Sequence, residues 1–110
     1  MGPVKLPSVS NILNVRSVDS NSEQFFPLLK TPMVTLEKIE SHGHTTPASD
    51  WYDQTDTEWV MLVTGNATLA FDSGGLLSLT AGDYVILPPH CKHRVESCSE
   101  DAIWLALHVL

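Results

Sequence analysis

Two short stretches of this sequence carry side chains able to bind a metal ion or to exchange protons. The stretch from Gly82 to Val95, GDYVILPPHCKHRV, ends an apolar run in two prolines and then places two histidines and a cysteine within four residues. A purely structural turn needs Gly, Pro, Asn or Asp and does not need imidazoles. The stretch from Trp51 to Glu58, WYDQTDTE, brings a tyrosine, a glutamine and a carboxylate to the start of another apolar run. We interpret the two stretches as parts of one binding site.

Alternation along an extended chain predicts how these side chains are presented. Because neighbouring residues of a strand point to opposite faces, Tyr52, Gln54 and Glu58 share the face of the apolar core residues that follow them. A carboxylate among apolar neighbours costs several kcal/mol unless it is paired, protonated or bound to a metal. His93 faces the same interior from a later strand, so we predict that Glu58 and His93 meet across a cavity.

The elements that must position these side chains read as short β-strands. Each run is about four to eight residues long, and no window shows a sustained helical period with caps. DSGG, at 72–75, is a hairpin turn signal. The pattern predicts an all-β sandwich or barrel, with a helix near SEQFFPLLK as the alternative for the N-terminal quarter. The predicted runs are QFFPLLKTP, MVTLEKIES, EWVMLVTGNATLAF, LLSLT, YVILP, HRVESC and IWLALHV.

Length, charge and cysteine content restrict the class of protein. A chain of 110 residues with 43% hydrophobic content fits one compact domain, which we assign to 25–110 after an N-terminal arm at 1–24. The formal net charge of −7 opposes nucleic-acid binding, because that binding relies on clustered Lys and Arg. No apolar run is long enough to span a membrane, and no signal-peptide pattern is present. Two reduced cysteines in a cytoplasmic protein are therefore expected.

The two stretches also carry a family resemblance. Glu58 and Gly65 enclose six residues in EWVMLVTG, while Gly82, Pro88 and His93 follow the order glycine, five residues, proline, and a histidine five positions further on. These spacings resemble the two signature motifs of the cupin superfamily, and the resemblance covers most of the chain. The order of WYDQ, EW, PPHCKHRV and a closing WLALHV is similar to a subgroup of small bacterial cupins.

The resemblance implies a fold and a cofactor. The fold is a double-stranded β-helix, the jelly-roll cupin barrel, whose cavity commonly holds one divalent metal ion such as Fe, Mn, Ni or Zn. Carried over to this sequence, Glu58 and His93 are metal ligands. Tyr52 and Gln54 stand where the first motif usually has two histidines, and His90 stands at a usual glycine of the second motif.

A third metal ligand is needed, because non-haem iron sites usually offer two histidines and one carboxylate. Gln54 is in register with the first motif and is our first choice for this ligand. Alternatively, His90 could swing in from its turn, or the upstream SHGH could deliver His42 or His44 over the rim. Tyr52 would then be the nearest proton donor or substrate contact.

Two further groups have simpler interpretations. A metal site made from the whole HCKH stretch is not favoured, because adjacent positions in a strand point to opposite faces. Cys91 is therefore interpreted as a turn residue. His108 alternates with Trp104 and Ala106 in the last strand and is interpreted as a face residue.

The residues fit both an enzyme and a binding protein. The preferred interpretation is a small cupin with a divalent metal in its cavity, acting as an oxygenase or isomerase on a small organic substrate. The alternative is a metal-free, non-catalytic module that binds or senses a small molecule, and a third class is a structural domain in which Glu58 and His93 only pair. The resemblance also implies a homodimer. The arm, with NILNV, could supply an exchanged strand that protects a sheet edge, and the alternative is a frayed arm.

Overall fold

The computed structural model describes residues 6–16 and 23–110, and within them the chain forms strands and turns but no helix. The expected all-β jelly roll is confirmed. The strands of this part of the chain are β1 (Gln24–Lys30), β2 (Val34–Glu40), β3 (Thr57–Thr64), β4 (Asn66–Phe71), β5 (Leu76–Thr80), β6 (Tyr84–Leu87), β7 (His93–Cys98) and β8 (Ile103–Val109).

The strands form two antiparallel sheets. A five-stranded sheet has the order β1-β2-β8-β3-β6, and a three-stranded sheet has the order β5-β4-β7. Strand β8 therefore lies between β2 and β3, although it is the last strand in the chain. The inward residues of the two sheets form a shared core that includes Val60, Leu62, Leu69, Val95 and Trp104. Apolar and polar residues alternate along these strands because one face of each strand is buried in that core.

The helix considered for the N-terminal quarter is wrong for Gln24–Lys30, which forms β1. Pro27 lies in the middle of this segment, where it would remove a hydrogen bond from a helix and clash with the preceding turn. In the sheet, β1 pairs with β2 through Phe25 opposite Ile39, and the register shifts between Pro27 and Leu29. A proline is tolerated there because β1 is an edge strand.

One glycine is required at the junction of β3 and β4. Gly65 has a φ of +84°, which an L side chain rarely adopts. A Cβ atom at this position would also lie 2.2 Å from the Ser99 hydroxyl oxygen and 3.2 Å from Ala102 Cα. The glycine of the first motif is thus fixed by the close passage of the β7–β8 connection.

Asn14 and Arg16 of the N-terminal arm contact the outer face of β2. The amide nitrogen of Arg16 donates to both carboxylate oxygens of Glu40, at 2.9 and 3.1 Å, and the Lys38 ammonium donates to the backbone oxygen of Asn14. The segment NILNV forms a turn in this structure, with the Asn14 amide donating to the Asn11 carbonyl at 3.1 Å. Residues 1–5 and 17–22 of the proposed arm lie outside the described residues.

No helix in the described residues has the length and hydropathy needed to cross a membrane.

Candidate functional site

The two sheets enclose a cavity of about 110 Å³. Its inner wall is apolar and includes the buried side chains of Val60, Leu69 and Trp104. Phe25 and Tyr52 are about half and one third exposed, at 49% and 37%, so they lie at the opening. The full lining consists of Glu23, Phe25, Glu37, Ile39, Tyr52, Gln54, Glu58, Val60, Leu69, His93, Val95, Trp104 and His108.

Glu58 and His93 meet in this cavity, as the parity of the sequence predicts. Glu58 Oε1 lies 3.5 Å from His93 Nε2, and both residues are buried. This distance is longer than a hydrogen bond, and Glu58 Oε1 has no hydrogen-bond donor within the described part of the chain. The two groups are near enough to interact as charges or to share a cation, but they do not satisfy one another as a neutral pair.

The turn after β6 fixes the orientation of His93. His93 Nδ1 lies 2.8 Å from the backbone oxygen of Cys91, and since a carbonyl only accepts, Nδ1 carries the hydrogen. The backbone of His93 exchanges hydrogen bonds with that of Tyr52, at 2.8 and 3.2 Å. Nε2 is therefore the free ring nitrogen and faces Glu58, which is the arrangement of a metal-ligating or proton-accepting histidine.

The pKa of His93 reflects these neighbours. Burial lowers the pKa of His93, while the Glu58 carboxylate and the Cys91 carbonyl raise it by more, so that the pKa lies above its ordinary value of 6.5. The buried carboxylate thus attracts either a proton or a metal ion to Nε2.

His108 is a second imidazole beside Glu58, which its interpretation as a face residue did not foresee. His108 is directly opposite Glu58 in the β3–β8 register, and its Nε2 lies 3.6 Å from Glu58 Oε2. The same nitrogen lies 3.2 Å from Glu37 Oε1, and Nδ1 lies 3.4 Å from Asp56 Oδ2. The alternation with Trp104 was the signal available in the sequence, because Trp104 lines the same cavity.

Tyr52 and Gln54 line the cavity where the first motif usually has histidines. The rings of Tyr52 and His93 lie 5.5 Å apart between centroids. Burial is the main cause that raises the pKa of the Tyr52 hydroxyl, with the nearby Glu23 carboxylate as the next, so Tyr52 keeps its proton at neutral pH. Burial also raises the pKa of Glu23, against smaller opposite effects of His44 and Ser41.

The other histidines considered as ligands are held elsewhere. His90 Nδ1 lies 2.8 Å from Asp53 Oδ1, its side chain is 65% exposed, and it does not line the cavity. His42 lines a separate cavity with Glu40, whose Oε1 lies 3.9 Å from His42 Nε2. His44 is near enough to Glu23 to lower its pKa, but it does not line the cavity either.

Glu58 and His93 have the chemistry and spacing of metal ligands. Nitrogen and oxygen ligands of a tetrahedral zinc, each about 2.1 Å from the ion, are about 3.4 Å apart, and the observed separation is 3.5 Å. With His108, the cavity offers two imidazoles and one carboxylate, the set typical of non-haem iron. In the described residues no three His, Cys, Asp or Glu side chains already converge as a metal centre. A third ligand would therefore require a side-chain adjustment.

Solved structures of cupins resemble most of this chain. A protein from Ralstonia eutropha JMP134 that is described as a candidate mannose-6-phosphate isomerase is 33% identical, with a TM-score of 0.87, over 94% of this chain and 98% of its own. A cupin superfamily protein from Desulfitobacterium hafniense DCB-2 is 14% identical, with a TM-score of 0.73, over 86% of this chain and 84% of its own. KdgF from Halomonas sp. is 17% identical, with a TM-score of 0.71, over the same shares, 86% and 84%.

A scan against protein-family models gives no match, and a search of curated proteins gives none either.

Proposed function

We propose that the cavity of this chain, which belongs to the cupin superfamily, binds one divalent metal ion. We also propose that it binds a small organic molecule on which the protein acts. The observation that carries the proposal is Glu58 Oε1, a buried carboxylate oxygen without a hydrogen-bond donor among the described residues. Burying such a group without a hydrogen-bond partner costs about 1–3 kcal/mol, and more when the group is charged. A cation between Glu58 and His93 would remove that cost.

Glu58 and His93 would hold the metal, and the third ligand would come from Gln54 or His108. Gln54 is in register with the first motif and lines the cavity. His108 has the stronger ligand atom and already lies 3.6 Å from Glu58 Oε2. Glu37, at 3.2 Å from His108 Nε2, would then position that imidazole or compete with the metal for it.

An isomerase-type proton transfer is the reaction that the cavity supports best. A bound divalent metal would supply Lewis-acid polarisation of a substrate oxygen. Tyr52 keeps its proton near neutral pH and lies beside His93, so it is placed to donate a hydrogen bond to a substrate oxygen. Glu23 lines the opening, and its raised pKa brings it nearer to the working range of an acid or base. The candidate isomerase from Ralstonia eutropha is consistent with this class.

A metal-free binding module is the second candidate. The observation that favours it is the raised pKa of His93, because a proton on Nε2 would neutralise Glu58 without any metal. The cavity would then bind a small molecule, and no turnover would follow.

The metal-binding function and the metal-free module are distinguished by the metal content of untagged protein, purified without chelator and measured by plasma mass spectrometry. We expect near-stoichiometric metal that Glu58→Gln and His93→Ala both abolish. His90→Ala is the matched control, because this neighbouring imidazole is exposed and bound to Asp53. Protein that stays metal-free after incubation with iron, manganese, nickel and zinc would exclude the metal-binding function. A comparison of Gln54→Ala with His108→Ala then identifies the third ligand by the larger loss of affinity.

A further inference from the structure

Among the described residues, the charged groups that line the cavity are acidic, apart from two histidines. Glu23, Glu37 and Glu58 contribute carboxyl groups to the lining, and Asp56 approaches His108 from behind at 3.4 Å. No lysine or arginine of the described residues lines the cavity. An anion placed here would meet an excess of like charge in a partly desolvated site.

The basic residues that the structure describes lie outside the cavity. The Lys38 ammonium lies 2.8 Å from Glu40 Oε2 on the outer face of the sheet, and Arg94 pairs with Glu96. The Arg16 guanidinium lies over the ring of Phe26, 4.7 Å from its centroid. Lys30 and Lys92 are exposed and do not line the cavity.

The opening combines carboxyl groups with aromatic rings. Phe25 and Tyr52 stand at the entrance, and Glu23 and Glu37 line the same cavity. Carboxylates attract a cation directly, and aromatic faces attract it through their quadrupole. The apolar wall formed by residues such as Val60 and Leu69 suits a hydrocarbon body.

We infer that the cavity selects a small organic ammonium ion with an apolar body, and discriminates against phosphorylated and carboxylated compounds. This inference rests on the proposed function only in placing the ligand in that cavity, since the acidic lining exists with or without a metal. It also separates this chain from the substrate named for its Ralstonia eutropha relative, which is a sugar phosphate. A divalent metal neutralises two of the negative charges, so the preference is smaller in the metal-loaded protein.

Three ligands of matched shape test the inference: cyclohexylammonium, cyclohexanol and cyclohexanecarboxylate. Binding is followed by the shifts of the Trp104 indole signal in NMR titrations, with metal-stripped and metal-loaded protein in parallel. We expect the amine to bind at least about tenfold more tightly than the carboxylate, with the alcohol between them, because one unit charge at contact distance alone changes affinity about fivefold even in water. Mannose 6-phosphate should bind no more tightly than mannose.

Two variants localise the preference. Glu37→Gln and Glu23→Gln should each lower the ratio of amine to carboxylate affinity several-fold, whereas Asp72→Asn, on the exposed β4–β5 turn, should leave it unchanged. Equal or tighter binding of the carboxylate, tighter binding of mannose 6-phosphate than of mannose, or binding of none of the three ligands would overturn the inference. If the protein binds no metal, the titration of metal-stripped protein still tests the preference for a cation. The metal-binding proposal and the ligand preference can therefore fail independently.

Discussion

Replacing Glu58 by Gln should have opposite effects on stability with and without metal. Glu58 is 6% exposed, and its Oε1 has no hydrogen-bond donor in the described part of the chain. A buried acceptor without a partner costs about 1–3 kcal/mol. Glutamine keeps the shape of the side chain and removes its charge, and its amide can donate to His93 Nε2, the ring nitrogen left free by the bond to Cys91.

The metal-stripped Glu58→Gln variant should therefore be more stable than the parent by about 1–3 kcal/mol at pH 8. For a domain of this size, each 1 kcal/mol corresponds to a change of roughly 4 °C in Tm. With metal at about a hundredfold excess over Kd, the parent gains about 2.7 kcal/mol that the variant does not. In the presence of metal, the parent should then be as stable as the variant or more stable.

The measurement is urea unfolding of both proteins, with and without metal, beside Glu100→Gln as a control at an exposed position. The control should match the parent in both conditions. A Glu58→Gln variant that is less stable than the parent without metal would refute the reasoning, because it would mean that Glu58 is already satisfied by its histidines and serves as a structural pair.

Three other perturbations test the core, the opening and the assembly. Leu62 is fully buried at 0% exposure, so the Leu62→Ala variant should have a free energy of unfolding about 2–5 kcal/mol lower than the parent. A decrease below 1 kcal/mol in urea unfolding would contradict the packing described. Because the pKa of Glu23 is raised in the folded state above 4.5, the stability linked to its proton is complete below pH 4.5 and is lost as pH rises through the folded pKa. The Glu23→Gln variant should therefore become more stable relative to the parent as the pH rises from 4 to 7. A stability difference between the two proteins that does not change with pH would contradict this sign. We expect light scattering at micromolar concentration to give the mass of a homodimer, and a monomeric mass would contradict this prediction.

The short apolar runs were sufficient to predict the class of fold and the pairing of Glu58 with His93. Period-two alternation decides which side chains share a face, and the prolines at 88 and 89 mark where the chain must turn. The N-terminal quarter was ambiguous because QFFPLLK is short and its pattern does not separate a strand from a helix. Its pairing with β2 decides the outcome, and pairing between segments is not visible in the local sequence.

His108 shows most clearly what the linear motif leaves out. Its neighbours in space are set by β8, which enters the sheet between β2 and β3 and places His108 opposite Glu58 and Thr35. The first motif lacks its two usual imidazoles, and β8 brings one back to the same carboxylate from the far end of the chain. The loss of motif histidines is therefore weaker evidence against a metal site than the sequence suggests. If His108→Ala weakens metal binding more than Gln54→Ala, the imidazole from β8 is the third ligand; the reverse result would return that role to the first motif.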